Sequence, residues 1–255
     1  MKVRAKDILG MKGSRKIVMI TAYDYPTAKI ADSAGVDAIL VGDSLAMVMM
    51  GMPSTHGVTL RQMLWHTEAV ARARPRALVV GDMPFGSYET SESDAVRSAI
   101  AFVRSGAEAV KLEGGSEYAD RIRAIAKVGV PVMAHIGLNP QRYLKLGGYK
   151  MRGNTAEEAR QLLKDAEAVQ EAGAFAVVIE FTNPEVAATI TKKLQIPTIC
   201  IGSGRECDGQ VLVIHDVLGL SENVPPFAKK YVDLMSIARE AVERYAREVR
   251  EGLFP

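Results

Sequence analysis

ALVVGDMPF (residues 77–85) is an apolar run that meets a carboxylate at Asp82 just before a proline. Its Val- and Leu-rich body reads as a strand buried on both faces, the pattern of a parallel sheet. The same construction recurs on either side of it. AILVGDS (38–44) ends at Asp43, EAVKLEGG (108–115) at Glu113, PVMAHIGL (131–138) at His135 and AFAVVIEFT (174–182) at Glu180. A polar group in such a strand is costly to bury unless it is paired or coordinated. Its recurrence at one end of successive strands predicts a (β/α)8 TIM barrel, a single domain over residues 1–255, whose strand ends converge on one acidic, metal-binding site.

Composition agrees with a soluble globular chain. The 255 residues are 48% hydrophobic and 24% charged, about the length of one such barrel. The net charge is +2, from 32 basic and 30 acidic residues spread along the chain. With no basic arm to track phosphates, a nucleic-acid partner is not expected. No apolar stretch is long enough for a membrane span and the N-terminus has no signal-like core, so the expected location is cytoplasmic. Cys200 and Cys207 form no C-x-x-C pair, and they are expected to be free thiols in a reducing compartment.

Strand-like and helix-like segments alternate throughout, as in a parallel sheet with crossover helices. IVMITAYD (17–24) supplies the first strand and PTICIGSG (197–204) the seventh. Because parallel neighbours need a crossover, VLVIHDVLGL (211–220) is assigned to a helix, FAKKYVD (227–233) to the eighth strand and SIAREAVERYAREVREG (236–252) to the closing helix. Residues 5–12 are expected as a short helix under the barrel. A doubly wound sheet is the alternative, disfavoured because acidic groups end nearly every strand instead of meeting at one switch point. The Gly-containing connections 45–59 and 139–154 are candidate lids or ordinary surface loops.

Asp43, Asp82 and Glu113 end three adjacent strands and offer only oxygen ligands, a set suited to a hard cation such as Mg2+. The competing reading is that each caps a helix or pairs with a local base. Lys111 lies two before Glu113 and shares its face of the strand, where it either holds a substrate carboxylate or pairs with Glu113 or Asp82. His135 is a hydrogen-bond donor, an acid or a core residue. Glu180, after AVVI, is the candidate general base, because an apolar wall raises a carboxylate's proton affinity. Asp24 stays open between a site role and a structural one, and His56, His66 and His215 read as loop and helix residues. GSGREC (202–207) is a weak dinucleotide signal, and Gly202, Ser203 and Gly204 fit better with close ligand approach.

Taken in order, ITAYDY (20–25), LVGDSL (40–45), His66-Thr67 beside Trp65, DMPF (82–85), VKLEGG (110–115), HIGLNPQ (135–141), GGYK (147–150), IGSG (201–204) and DGQVLVIHD (208–216) resemble the ketopantoate hydroxymethyltransferase family over nearly the whole chain. The resemblance implies a barrel, usually decameric, that begins the pantothenate route to coenzyme A. It moves a one-carbon unit from 5,10-methylenetetrahydrofolate to 3-methyl-2-oxobutanoate with Mg2+. By motif, Asp43, Asp82 and Glu113 match the metal site; Asp43, Ser44, Asp82 and Lys111 the oxo-acid site; Glu180 the base; and His135 an active-site polar group. The strand-seven segment departs slightly, with GSGRECDGQ (202–210) in place of a GAG form. Two other readings stand beside this one. The first is a Mg2+-dependent carbon–carbon lyase or mutase acting on 2-oxo acids, which commonly needs a loop cysteine absent from 45–59 and 139–154. The second is a non-catalytic metabolite-binding barrel.

Overall fold

In the computed structural model, which describes residues 1–254, eight strands close in sequence order into a barrel. They are β1 (Ile17–Thr21), β2 (Ala38–Val41), β3 (Leu78–Asp82), β4 (Ala109–Glu113), β5 (Val132–Gly137), β6 (Ala176–Glu180), β7 (Thr198–Ile201) and β8 (Gly209–Leu212). Neighbours from β1 to β8 run parallel. Alternation along each strand sends every second side chain inward. The lower inner positions are apolar: Met19, Leu40, Val80, Met133, Val178 and Ile199 belong to one buried cluster.

The N-terminal segment closes the floor of that cluster. A short helix, Ala5–Leu9, forms within the expected 5–12 window, and Val3, Ile8 and Met11 pack among the inner residues of the barrel. Ile8 is fully buried, a placement that contributes roughly 2–3 kcal/mol. Polar ties hold the same end: Asp208 accepts from Lys12 Nζ at 2.8 Å and from Thr198 N at 2.9 Å.

Outer helices begin on side-chain caps that the sequence supplies. Thr59 accepts from Gln62 N ahead of Leu60–Arg72, Ser91 from Asp94 N ahead of Glu92–Arg104, and Thr155 from Glu158 N ahead of Ala156–Glu171. Each satisfies an otherwise orphaned helical N–H. Asp24 does the same, accepting from Thr27 N at 2.8 Å to cap Tyr25–Ser33. That assigns it a structural role.

Two expectations are corrected. The eighth strand is not FAKKYVD, which is irregular, but Gly209–Leu212, overlapping the segment expected as a helix; the helix that follows is only Ile214–Leu218. The crossover rule misled because β7 and β8 are four residues each, so the return path is about 13 Å. The link 202–208 can span roughly 24 Å without a helix. Cys200 and Cys207 are not free: they form a disulfide across that link, with Cα atoms 5.9 Å apart. The inference of a reducing compartment therefore loses its support.

The chain divides into two compact units, Met1–Val211 and the segment from Leu212 onward. The second contains Leu234–Arg250, a helix within two residues of the expected bounds, with no buried residue of its own. No helix among the described residues is long and apolar enough to cross a membrane.

Because a short disulfide loop restricts the unfolded chain, Cys200→Ser should cost about 2 kcal/mol. On a chain of this size that is a fall of roughly 4–8 °C in Tm by calorimetry. Equal Tm values for the variant and the oxidised wild type would show that the bridge contributes nothing.

Candidate active site

Strand register alone brings the polar residues together. The β3–β4 ladder sets Asp82 beside Lys111, β4–β5 sets Glu113 beside His135, and β5–β6 sets Gly137 beside Glu180. Adjacent strands lie about 4.8 Å apart, so paired side chains on the inner face meet. Lys111 Nζ donates to Asp82 Oδ1 at 2.6 Å. His135 lies between two carboxylates, Nδ1 3.6 Å from Glu113 Oε1 and Nε2 3.3 Å from Glu180 Oε2. Asp43 follows β2, and its backbone N–H donates to Asp82 Oδ2 at 3.1 Å.

Gly137 makes the last of these junctions possible. Its φ is +97°, and a Cβ there would collide with Glu180 O and Thr182 Oγ1. The bare backbone lets Leu138 N donate to Glu180 O at 2.8 Å, which fixes the end of β6 against β5. Thr182 N in turn donates to Ser203 Oγ at 2.9 Å, so the GSG segment serves to hold the Glu180 strand end.

The cluster is buried and short of positive charge. Asp43, Asp82, Lys111, Glu113 and His135 are all at most 4% exposed. Burial raises the proton affinity of Asp43 well above the usual carboxylate range, and Asp82 and Glu113 raise it further. Burial also works against the charge of Lys111, but Asp82, Glu113 and Asp43 outweigh it and keep the ammonium protonated. Glu113 is lowered: His135, Lys111 and the Gln141 N–H overcome the effect of burial. For His135, burial and Lys111 oppose protonation, yet Glu113 and Glu180 lift it to about 9.

Asp43, Asp82 and Glu113 are the residues that could hold a cation. Among the described residues no three His, Cys, Asp or Glu side chains are already gathered into a ligand cage. The arrangement suits an ion that takes one or two carboxylates and completes its shell with water and substrate oxygens, as Mg2+ does.

Glu180 departs from the apolar wall expected of it. Its side chain is 19% exposed and stands at the open edge of the cluster beside His135. Ser44 is partly buried at the start of the 45–59 connection, its Oγ 2.9 Å from Tyr23 OH. Tyr149, from the other long connection, is pushed up by burial and by nearby Glu180, so part of 139–154 lies near Glu180.

Four neighbours of the site have no signature in the sequence pattern. Gln141 donates through Nε2 to Asp43 Oδ2 at 2.8 Å, and Tyr88 OH donates to Gln141 Oε1 at 2.6 Å. His56, expected as a loop residue, places Nε2 2.8 Å from Gln141 O, and Tyr23 reaches Ser44. Gln141 lies within HIGLNPQ, so the motif holds the signal but no spacing reveals its reach. His56 also borders an open depression of about 480 Å³ walled by Phe85, Ser87 and Asp94, which none of the acidic cluster lines.

The raised His135 value makes a pH prediction. Relative to an unfolded value of about 6.5, its stabilising charge is fully present below pH 6.5 and is lost as pH rises through about 9. NMR of the imidazole should show a midpoint near 9, and Tm should fall more steeply between about pH 6.5 and 9 than in His135→Gln. A midpoint near 6.5 would contradict the imidazolium between Glu113 and Glu180.

The chain is 63% identical to 3-methyl-2-oxobutanoate hydroxymethyltransferase of Aeropyrum pernix, covering 100% of this chain and 93% of that protein. It is 62% identical to the protein of the same name from Hyperthermus butylicus, covering 100% and 88%. In fold it is similar to 2,3-dimethylmalate lyase, a PEP mutase/isocitrate lyase superfamily member (TM-score 0.67, 20% identity, 97% and 89% covered). A phosphonopyruvate hydrolase solved with oxalate and Mg2+ is similar as well (TM-score 0.66, 15% identity, 98% and 88% covered). At those identities the two structures speak to the barrel alone. The ketopantoate hydroxymethyltransferase family model matches residues 2–255, and with relatives at this identity over its full length, the chain belongs to that family of enzymes.

Proposed function

We propose that this enzyme transfers a hydroxymethyl unit from 5,10-methylenetetrahydrofolate to 3-methyl-2-oxobutanoate, giving 2-dehydropantoate for pantothenate and coenzyme A synthesis. The observation that carries the reading is the row Asp82, Lys111, Glu113 and His135, buried on adjoining strands, with Glu180 at its open edge and Asp43 beside it, in a chain of this family.

Asp43 and Asp82, with Glu113 completing the acidic set, are the residues that would hold Mg2+. When bound, the ion supplies a Lewis acid for the 2-oxo group, stabilising negative charge that develops beside the carbonyl. Glu180 then takes the proton from carbon three. Its position at the open edge fits a base that must meet substrate and then pass its proton to water, with His135 Nε2 3.3 Å away to orient the carboxylate. Lys111 and Ser44 orient the substrate carboxylate, an effect that can be worth several kcal/mol. The carbon-three C–H bond breaks as its proton goes to Glu180; the methylene's bond to one folate nitrogen opens and a carbon–carbon bond forms. Water then supplies the hydroxyl as the bond to the second folate nitrogen breaks, and the two nitrogens take up the proton lost by carbon three and one from water.

The apolar residues Ile237, Val242 and Tyr245, exposed on Leu234–Arg250, fit assembly into a homo-oligomer such as the decamer of the family resemblance. The lyase or mutase alternative has only fold-level likeness in its favour.

The test is turnover of 3-methyl-2-oxobutanoate, methylenetetrahydrofolate and Mg2+, followed as 2-dehydropantoate by mass spectrometry. Wild type should form product; Asp82→Asn and Glu180→Gln should lose at least about 10²-fold in kcat, with Glu180→Gln keeping its oxo-acid affinity. Cleavage of the oxo acid without folate would favour the lyase reading.

A further inference from the structure

Gln141 sits where the acidic cluster, the 45–59 connection and the 139–154 connection meet. The residue is 3% exposed and its side chain is fully engaged. Nε2 donates to Asp43 Oδ2 at 2.8 Å and to Met83 O at 3.0 Å, while Oε1 accepts from Tyr88 OH at 2.6 Å. Its backbone N–H donates to Glu113 Oε2 at 3.0 Å, and its carbonyl lies 2.8 Å from His56 Nε2. A single residue therefore touches two of the three carboxylates. Through Tyr88, whose hydroxyl also accepts from Glu113 N at 3.3 Å, it is tied to the backbone of β4 as well.

The chemistry of the carboxamide explains why glutamine is suited to this place. Asp43 stands among carboxylates, its backbone N–H on Asp82 Oδ2, and Gln141 supplies the donor that reaches its Oδ2. A lysine would add full charge where a cation is to enter, and a glutamate would present another acceptor. An amide donates to the carboxylate with one end while its other end is pinned by Tyr88, so its rotation is fixed. Tying Oδ2 of Asp43 sets the plane of that carboxylate and leaves its other oxygen to a cation. Groups that orient metal ligands in this way typically account for roughly a 10–100-fold effect on metal affinity.

We propose that Gln141 is the positioning residue of the cation site. Held by Tyr88, it orients Asp43 and Glu113 for a divalent cation, and through His56 it links their orientation to the 45–59 connection. This rests on the proposed metal site, and the controls separate the two claims.

Mn2+ serves as the probe, read by electron paramagnetic resonance titration without substrate, with circular dichroism reporting the fold. Gln141→Met keeps the length of the side chain and removes the donor. It should weaken Mn2+ binding about tenfold and broaden the bound-ion signal, and it should lower kcat more than it raises KM for the oxo acid. Mn2+ affinity within about twofold of wild type in folded Gln141→Met would overturn the proposal, whatever the activity. Should that variant fail to fold, Tyr88→Phe carries the test: the freed carboxamide predicts a loss of Mn2+ affinity of several-fold, and wild-type affinity would overturn the role. Asp43→Asn decides the underlying site. If it binds Mn2+ as wild type does, the metal reading falls and takes this one with it. If it loses Mn2+ while Gln141→Met keeps it, only the role of Gln141 falls.

Discussion

A buried lysine among carboxylates is the constraint on which the catalytic end of this barrel depends. Lys111 reaches Asp82 at 2.6 Å with both side chains almost fully buried. Removing two charges from water costs several kcal/mol per ion, and mutual attraction alone seldom repays it. Here the pair is embedded in further groups: Asp43 and Glu113 add negative charge, and His135 is drawn into the positive state by Glu113 and Glu180. The balance is incomplete, and Asp43 bears the deficit. Such a cluster stores a demand for positive charge, which a divalent cation and an orienting donor such as Gln141 would meet.

The barrel separates that demand from its own stability. Going up β4, Ala109 belongs to the apolar floor, Lys111 to the ion pair and Glu113 to the rim, all on one inner face. The lower layer, plugged by Ile8 and Met11, stabilises the fold through apolar burial. The upper layer can then hold costly charge in fixed positions, as strained or charged active sites require. Gly137 and Ser203 continue the same rigidity outward, fixing the strand end from which Glu180 projects.

Much of this arrangement is legible in the sequence, for a physical reason. A polar residue in a doubly buried strand breaks a strong pattern, so Asp82, Lys111, Glu113, His135 and Glu180 stand out by periodicity alone, and strand order places them side by side. Loop residues have no such periodicity. Gln141, Tyr88 and His56 reach the cluster from irregular segments and short turns whose paths depend on the whole fold, and no pattern marks them. The eighth strand is misplaced by pattern reasoning because a general rule about parallel crossovers meets two unusually short strands. The disulfide escapes it because its geometry depends on that same helix-free link.

The central claim is that this charge arrangement makes carbon three of a 2-oxo acid acidic and places Glu180 to take its proton. The most direct measurement is hydrogen–deuterium exchange at carbon three of 3-methyl-2-oxobutanoate in D2O, followed by NMR with metal-stripped protein, with and without Mg2+ and without folate. Exchange that requires Mg2+ and falls at least about 10²-fold in Glu180→Gln is the predicted result. Exchange that persists undiminished in Glu180→Gln, or proceeds equally well without the ion, would contradict it.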